Sequence, residues 1–308
     1  MTFTTRLKEE ISKENYNSLE GRNILAAYIR YNSKVDSSIT ITLENAAVTR
    51  YIYKLIKEVF LLTPQVIVRN QKRFRVKQIY ILVINDRVDY IKDSLELNKK
   101  KVENLDSEEE IIAFLKGAFL ACGTISNPST SGYHLEYIFS TESEAKEIKK
   151  LLNIFKLNSK IVKRGYKFIV YIKASESISD LIKMFKAINS LFEFEDIRIY
   201  RDHKNMVNRL NNCEIANQVK TLNTGMKQLE DIKFLEDNDL CPLLDEKTNV
   251  IISYRKKYPE SSFQELSEII SLETDYKIGK SGINHHFIKI KELIKRYKKK
   301  SSEQSEKE

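Results

Sequence analysis

The order of apolar and polar positions repeats along the first two thirds of the chain. Each repeat begins with a helix rich in small residues, followed by an alternating strand, an amphipathic helix, two strands and a short closing helix. The first repeat is predicted at residues 22–32, 38–43, 44–60, 65–69, 75–84 and 89–97. The second is predicted at residues 111–122, 133–139, 142–155, 159–163, 167–173 and 177–190. This pattern predicts a duplicated α/β unit.

The rest of the chain has only helical periodicity. A segment dense in Asn and Arg, residues 197–217, leads into a helix whose apolar positions recur at three and four, which we interpret as a linker brace. Further helices are predicted at 246–258, 262–271 and 281–299. We expect a first repeat with its N-terminal region at 1–98, a connector and second repeat at 99–192, a linker with a long helix at 193–241, an all-α domain at 242–300 and a disordered tail at 301–308.

Composition narrows the classes of function. The chain has 308 residues, 42% of them hydrophobic, and a formal net charge of +9, which makes nucleic acid a plausible partner. Three widely spaced cysteines favour neither a disulfide framework nor a zinc module, so we expect the reducing cytosol. We find no pattern of a secretion signal or a membrane span.

The positive charge is concentrated near the C-terminus. Residues 277–300 hold nine Lys and Arg and one acid, Glu292. Ser262 and Glu265 form a capping-box pattern, and Ser281 is predicted to cap the last helix. Such a helix pair with a basic outer face indicates a helix-turn-helix, although the connection at 272–280 is longer than usual. The residues expected to contact DNA are Ser262, Gln264, Lys277, Lys280, Ser281, Gly282, Asn284, His285, Lys289 and Arg296. His286 is expected to meet DNA or solvent.

The second small-residue helix resembles a known signature. Residues 115–123 read L-K-G-A-F-L-A-C-G and are similar to the L-A-G-L-I-D-A-D-G helix of homing endonucleases, with an echo at residues 25–33. The resemblance implies two such helices packed through small residues, each with a final acid that binds Mg²⁺ beside the scissile phosphate. Here Asn32 and Cys122 stand at those acid positions, and neutral groups are poor ligands for a hard cation. We therefore expect no metal, no cofactor and no nuclease activity. The helix-interface residues are predicted to be Leu25, Ala27, Leu115, Gly117, Ala121 and Gly123. An ordinary buried helix ending at a glycine cap is the alternative.

Together with the duplicated unit, several short motifs resemble the WhiA family of bacterial transcription regulators over nearly the whole chain. They are Asn208-Arg209, Asn212-Cys213-Glu214, Ala216-Asn217 and the run from Lys280 to His285. The resemblance implies an α+β fold in which two LAGLIDADG-like repeats form a saddle followed by a helix-turn-helix domain. It also implies a cytoplasmic, nucleoid-associated protein that binds promoter DNA and acts in sporulation, or in cell division and chromosome segregation. The first repeat departs from the pattern, with Ala27 and Ser33 in place of glycines.

A sequence-specific DNA-binding regulator is therefore the favoured interpretation, and two alternatives remain. One is a Mg²⁺-dependent homing endonuclease with unorthodox ligands, and the other is a nucleoid-associated scaffold that binds DNA without sequence preference. The contact made by the saddle also remains open. It is either DNA or a second regulator, and the basic residues that would serve DNA are Arg69, Lys72, Arg73, Arg75 and Lys77.

Overall fold

The structure, a computed structural model, describes residues 1–71, 78–99 and 105–305. Its contacts divide the chain into two compact units, residues 1–202 and residues 203–308. The first unit holds two four-stranded sheets with helices, and the second is helical. The predicted duplicated α/β unit followed by an all-helical unit is thereby confirmed. None of the described helices combines the length and apolarity needed to cross a membrane.

The two repeats of the first unit contain the same elements in the same order. The first repeat consists of α2 (Ser18–Asn32), β1 (Ser33–Val35), β2 (Ile39–Leu43), α3 (Ala46–Phe60), β3 (Gln65–Asn70), β4 (Gln78–Ile84) and α4 (Val88–Ser94). The second consists of α5 (Glu108–Cys122), β5 (Gly123–Ile125), β6 (Leu135–Phe139), α6 (Glu142–Ile154), β7 (Lys160–Arg164), β8 (Lys167–Ile172) and α7 (Ser175–Met184). A further helix, α1 (Phe3–Ile11), precedes both repeats. The short strands β1 and β5 were not predicted. Residues 75–77 of one predicted strand lie outside the described residues.

Strand order and register repeat as well. The sheets run β1-β2-β4-β3 and β5-β6-β8-β7, and all their neighbours are antiparallel. Alternate residues of β2 and β6 are buried, so one face of each sheet meets the core and the other is more open. On the more open face, the matching middle rows are Thr42, Ile81 and Ile67 in the first sheet and Ile138, Ile169 and Val162 in the second.

Helices α2 and α5 pack against each other at the centre of the first unit. Leu25, Ala27 and Leu115 are fully buried. A Cβ atom on Gly117 would lie 2.2 Å from the Ile24 carbonyl oxygen, so only glycine allows this approach. Gly123 has an extended backbone (φ −82°, ψ 144°) and is not a left-handed helix cap. It is needed for space, because a Cβ there would lie 2.2 Å from the Phe119 ring.

Hydrogen bonds connect α1 to the second repeat and to the start of α8 (Ile188–Asp237), the helix that follows α7. The Thr4 hydroxyl donates to the Ile125 carbonyl at 2.7 Å. The Glu10 carboxylate accepts hydrogen bonds from the backbone N–H groups of Asn189 at 2.6 Å and Ser190 at 2.8 Å, so it caps α8. The predicted closing helix 177–190 was too long, because Lys186 adopts a left-handed conformation (φ 61°) after α7 ends.

Helix α8 is continuous over 50 residues. The brace helix predicted beyond the Asn-rich segment therefore begins much earlier, at Ile188. The Asn-rich segment contains no proline, and each Asn disfavours helix by less than about 1 kcal/mol relative to Ala. The segment thus lowers helix propensity without interrupting the backbone hydrogen bonds.

The second unit continues with a 3₁₀ turn (Cys241–Leu243), α9 (Glu246–Lys257), α10 (Phe263–Glu273) and α11 (Lys280–Ser305). Its core residues are Ile232, Leu235, Ile251, Leu266, Ile270, Ile283, Phe287 and Ile290. Helix α11 starts at Lys280, one residue before the predicted cap, and the Ile283 N–H bonds to the Gly279 carbonyl at 3.1 Å. Ser281 therefore lies inside the first turn and is not the N-cap. The helix also continues to Ser305, past its predicted end at residue 299, and residues 306–308 lie outside the described part.

Candidate nucleic-acid interface

Side-chain hydrogen bonds fix the start of α10 and the connection between α10 and α11. Ser262 and Glu265 form the predicted capping box, in which the Glu265 N–H donates to Ser262 Oγ at 3.2 Å and the Ser262 N–H donates to Glu265 Oε2 at 2.6 Å. The buried Ser267 hydroxyl donates to the Ile278 carbonyl at 2.5 Å. This bond holds the long connection before α11 against α10, so the start of α11 has a defined position.

The two sides of α11 differ sharply in exposure. Its buried side carries Ile283, Phe287, Ile290 and Ile294, which share one face at 100° per residue. The opposite side carries exposed Ser281, His285, Lys289 and Arg296, with exposed Lys280 and Asn284 at its edge and half-buried Gly282 nearby. Seven of the ten predicted contact residues are thus on this one helix.

The other three predicted residues are separate from it. Lys277 is exposed in the connection, and Gln264 is exposed on α10, where its amide donates to Glu268 Oε1 at 2.8 Å. Ser262 is half-buried and its hydroxyl is used by the helix cap. Ser262 therefore has a structural task that does not depend on DNA.

His286 has a different role from the one expected. Its side chain is 13% exposed, and Nδ1 lies 2.7 Å from the Thr248 hydroxyl at the start of α9. Burial lowers the pKa of His286, and nearby Asp245 only partly opposes this, so the ring is largely neutral at pH 7. His286 thus joins α11 to α9, whereas its neighbour His285 is exposed.

A cleft of about 420 Å³ opens between the start of α9 and α11. Lys289 and Arg296 line it together with Asp245 and Glu292. The two cations therefore border a groove and also face solvent, a position from which they can reach the phosphates of a duplex.

Arg255 was missed by the sequence analysis. It is 1% exposed, and its Nη1 donates to the carbonyls of Tyr258, Pro259 and Ser261, the last at 2.6 Å. Its guanidinium lies 5.8 Å and 5.9 Å from the ring centroids of Phe263 and Phe287. Burial lowers the pKa of Arg255 to about 10, so it remains charged at pH 7. No local signal separates Arg255 from the exposed Lys256 and Lys257 beside it.

In the first unit, neither Asn32 nor Cys122, the two positions predicted to match metal ligands of the endonucleases, presents an anion. The Asn32 amide donates to the Tyr28 hydroxyl at 3.0 Å and to the Thr42 carbonyl at 3.2 Å. The Cys122 thiol donates to the Ala118 carbonyl at 3.3 Å, and burial raises its pKa to about 12. One position thus offers an amide already bonded to protein, and the other offers a protonated thiol.

A half-buried lysine, also missed by the sequence analysis, lies close to both positions. Lys8 and Asn32 line a cavity of about 470 Å³, and Lys8 Nζ donates to the Leu120 carbonyl at 3.0 Å. Burial lowers the pKa of Lys8 to about 8, so it is mostly charged at pH 7. Among the described residues, Glu44 is the single carboxylate that lines this cavity, and it lies near the Lys8 ammonium. One carboxylate beside an ammonium is a poor set of ligands for a divalent cation. In the described parts of the chain, no three His, Cys, Asp or Glu side chains are arranged to hold a metal ion.

Together these features define a LAGLIDADG-like saddle joined to a helix-turn-helix domain. Residues 20–98 match the WhiA N-terminal LAGLIDADG-like domain, residues 111–204 the WhiA LAGLIDADG-like domain and residues 207–294 the WhiA C-terminal HTH domain. The chain belongs to the WhiA family.

Several known proteins are similar to this one over almost its whole length. It is 35% identical over 306 residues to the "Probable cell division protein WhiA" of Lactobacillus acidophilus, covering 95% of this chain and 97% of that protein. It is 35% identical over 314 residues to the protein of the same name from Enterococcus faecalis, covering 98% and 100%. The crystal structure of full-length WhiA from Thermatoga maritima is similar in fold, with a TM-score of 0.58, 24% identity and coverage of 96% and 99%. The predicted fold class is confirmed.

Proposed function

We propose that this protein is a sequence-specific DNA-binding transcription regulator that binds promoter DNA mainly through α11. The observation that carries the proposal is the exposed side of α11, where polar residues at the helix start are followed by Lys289 and Arg296. The HTH match and the names of the relatives support a regulator of cell division, with chromosome segregation or sporulation as related roles. We further propose that it acts at the nucleoid in the cytoplasm.

The chemistry of α11 suggests a division of tasks. Ser281, Asn284 and His285 near the helix start can donate and accept hydrogen bonds at base edges in the major groove. Lys289 and Arg296, one and three turns further on, suit phosphates, as do Lys277 and Lys280. This arrangement places sequence recognition at the start of α11 and charge neutralisation along it.

Salt-dependent binding tests the proposal. The double variant Lys289→Ala, Arg296→Ala should bind a promoter duplex at least tenfold more weakly, and the salt slope of its affinity should fall by about 2, since each phosphate contact contributes about 0.9. The control is Lys256→Ala, Lys257→Ala, which removes the same charge from exposed pairs on α9. Equal affinities for the two double variants would reject the assignment. Competition with random duplex at fixed salt separates specific from nonspecific binding.

We propose in addition that the saddle has no nuclease activity, because an amide, a protonated thiol and a half-buried ammonium lie beside a single carboxylate, Glu44, where a divalent cation would be needed. The test is incubation of supercoiled DNA with the protein and Mg²⁺ or Mn²⁺. Site-specific nicking that is lost on changing Asn32 or Cys122 would support the endonuclease alternative instead.

For the saddle we propose a protein partner, such as a second regulator. The middle rows of its two open sheet faces carry aliphatic side chains, including partly exposed Ile67, Ile81, Ile138 and Val162. Arg69 is exposed, whereas Lys72, Arg73, Arg75 and Lys77 lie outside the described residues. The double variant Ile138→Thr, Val162→Thr should show less crosslinking to a protein partner in cells and an unchanged affinity for DNA. Weaker DNA binding with unchanged crosslinking would favour DNA contact by the saddle.

A further inference from the structure

The middle of α8 is a helix without a covering layer. Every residue from 202 to 220 is exposed, and this stretch remains helical throughout. Contacts with the rest of the second unit begin near Gly225, where a Cβ would lie 2.3 Å from the Pro259 carbonyl, and continue at Ile232 and Leu235. Packing therefore contributes little to the stability of this exposed segment. Its residue types indicate which kind of partner could bind to it.

Asparagine is unusually frequent in residues 202–223. The positions are 205, 208, 211, 212, 217 and 223. Asn is among the weaker helix formers because its side chain competes for backbone hydrogen bonds. Within the described residues, one of these six has a side-chain hydrogen bond, from Asn217 to Cys213 Sγ at 3.8 Å. These amides therefore do not support the helix, and most of their donors and acceptors face solvent.

Four polar residues form one face over two turns. At 100° per residue, Asn205, Asn208, Arg209 and Asn212 fall within about 100° of arc. We name this the asparagine face. Residues 202–223 hold two acids: Glu214 lies on the opposite side of the helix, and Asp202 lies one turn before Asn205, about 20° outside the face. The asparagine face thus combines amide donors and acceptors with a guanidinium and has no carboxylate.

We propose that the asparagine face is a second duplex-DNA-binding element, which contacts base edges in addition to α11. An Asn side chain can pair with the N6 and N7 atoms of adenine, and Arg can pair with the O6 and N7 atoms of guanine. A single helix about 10–12 Å wide fits the major groove, which is about 12 Å wide. This inference rests on the proposed function, since it assumes that the chain binds DNA.

No apolar residue lies on the asparagine face between residues 205 and 212. Met206 and Leu210 lie on one side of the helix, whereas Ile215 and Val219 lie on the opposite side. Ile215 and Val219 continue into Leu222 and Met226 at steps of three and four, which makes an exposed apolar stripe that lies C-terminal to the asparagine face. The asparagine face, in contrast, is continuous from residue 205 to residue 212.

The experiment compares two pairs of identical substitutions in the full-length chain. The first pair, Asn208→Ala with Asn212→Ala, lies on the asparagine face. The matched control, Asn211→Ala with Asn217→Ala, changes the same residue type in the same exposed helix away from that face. Both pairs raise helix propensity equally, so folding should not distinguish them. The probe is a duplex that the wild-type protein selects from a random pool.

The first pair should weaken binding to the selected duplex by about tenfold for each asparagine, while binding to random duplex at the same salt changes little. The control should stay within about twofold of wild type, since its side chains lie away from the groove. Sedimentation of both variants monitors self-association. Equal DNA affinities for the two pairs would overturn the inference, and so would a change confined to the sedimentation of the first pair.

The double variant at Lys289 and Arg296 separates the two proposals. If this variant loses DNA binding while the Asn208→Ala, Asn212→Ala variant keeps it, the asparagine face does not bind DNA and α11 remains the DNA-binding helix. If the wild-type protein selects no duplex from the pool, the proposed function itself fails, and this inference fails with it.

Discussion

In each unit, a helical glycine lies so close to a backbone carbonyl group that no side chain fits between them. The two carbonyl groups differ in how easily their backbone can move. In the first unit, Gly117 of α5 lies against Ile24, which is inside the buried helix α2. In the second, Gly225 of α8 lies against Pro259, which is in the connection between α9 and α10. The comparison suggests that the stiffness of the partner backbone, more than the missing space, determines how severe a substitution is.

The largest effect is expected for Gly117→Ala. A new methyl group would force α2 and α5 apart along a buried interface, which should lower the free energy of unfolding by about 4 kcal/mol. Urea denaturation followed by circular dichroism measures it. Gly132→Ala is the control, because a Cβ there meets no atom within 4 Å. A small effect at Gly117 would mean that the helix pair is less rigid than its packing indicates.

Arg255→Ala comes next. Three carbonyls of the connection after α9 would lose their donor, and two aromatic rings would lose a stacked guanidinium, which should cost about 3 kcal/mol. Thermal unfolding of the full chain reports this loss. Lys256→Ala removes an exposed cation beside it and should change stability by less than about 1 kcal/mol. Similar stability changes for the two variants would show that Arg255 stabilises the fold no more than an exposed cation does.

Gly225→Ala is expected to cost about 2 kcal/mol, less than Gly117→Ala, because the connection at Pro259 can move. Arg255 holds that same carbonyl at 3.3 Å, so the two positions should be coupled. In a double-mutant cycle, Gly225→Ala should cost about 1 kcal/mol less when Arg255 is already replaced. An additive result, or a single effect larger than that of Gly117→Ala, would contradict the role given to backbone stiffness.

The smallest effect concerns Lys8, the half-buried cation that bonds to the Leu120 carbonyl. Burial lowers the pKa of Lys8 from 10.5 to about 8, so above pH 8 the folded chain releases a proton that the unfolded chain still binds. The contribution of Lys8 to stability therefore rises with pH, by about 1 kcal/mol between roughly pH 7 and pH 9. Wild type and Lys8→Met, denatured in urea at both pH values, measure this difference. Parallel pH dependences would show that Lys8 is more hydrated than its burial implies.

Periodicity was sufficient to predict the duplicated unit, because long amphipathic helices and alternating strands carry their own signal. Strands β1 and β5 were missed since each has three residues and directly follows a helix, which leaves no window for alternation. The exposed side of α11 was predictable for the same reason that its buried side was. Lys8 was not, because its partner Leu120 is 112 residues away in sequence. The Ser281 cap was wrong because the Gly279 carbonyl already closes the first turn.

The hydrogen bonds of α1 also bear on the order of synthesis. Lys8, Thr4 and Glu10 bond to Leu120, Ile125 and Ser190, so α1 is translated well before these partners. Its apolar residues Phe3, Leu7 and Ile11 cannot complete this packing until the second repeat has emerged. Helix α1 can therefore complete its packing only after the second repeat has been translated, and a nascent protein cut short before residue 190 would leave the apolar face of α1 partly uncovered and prone to aggregation.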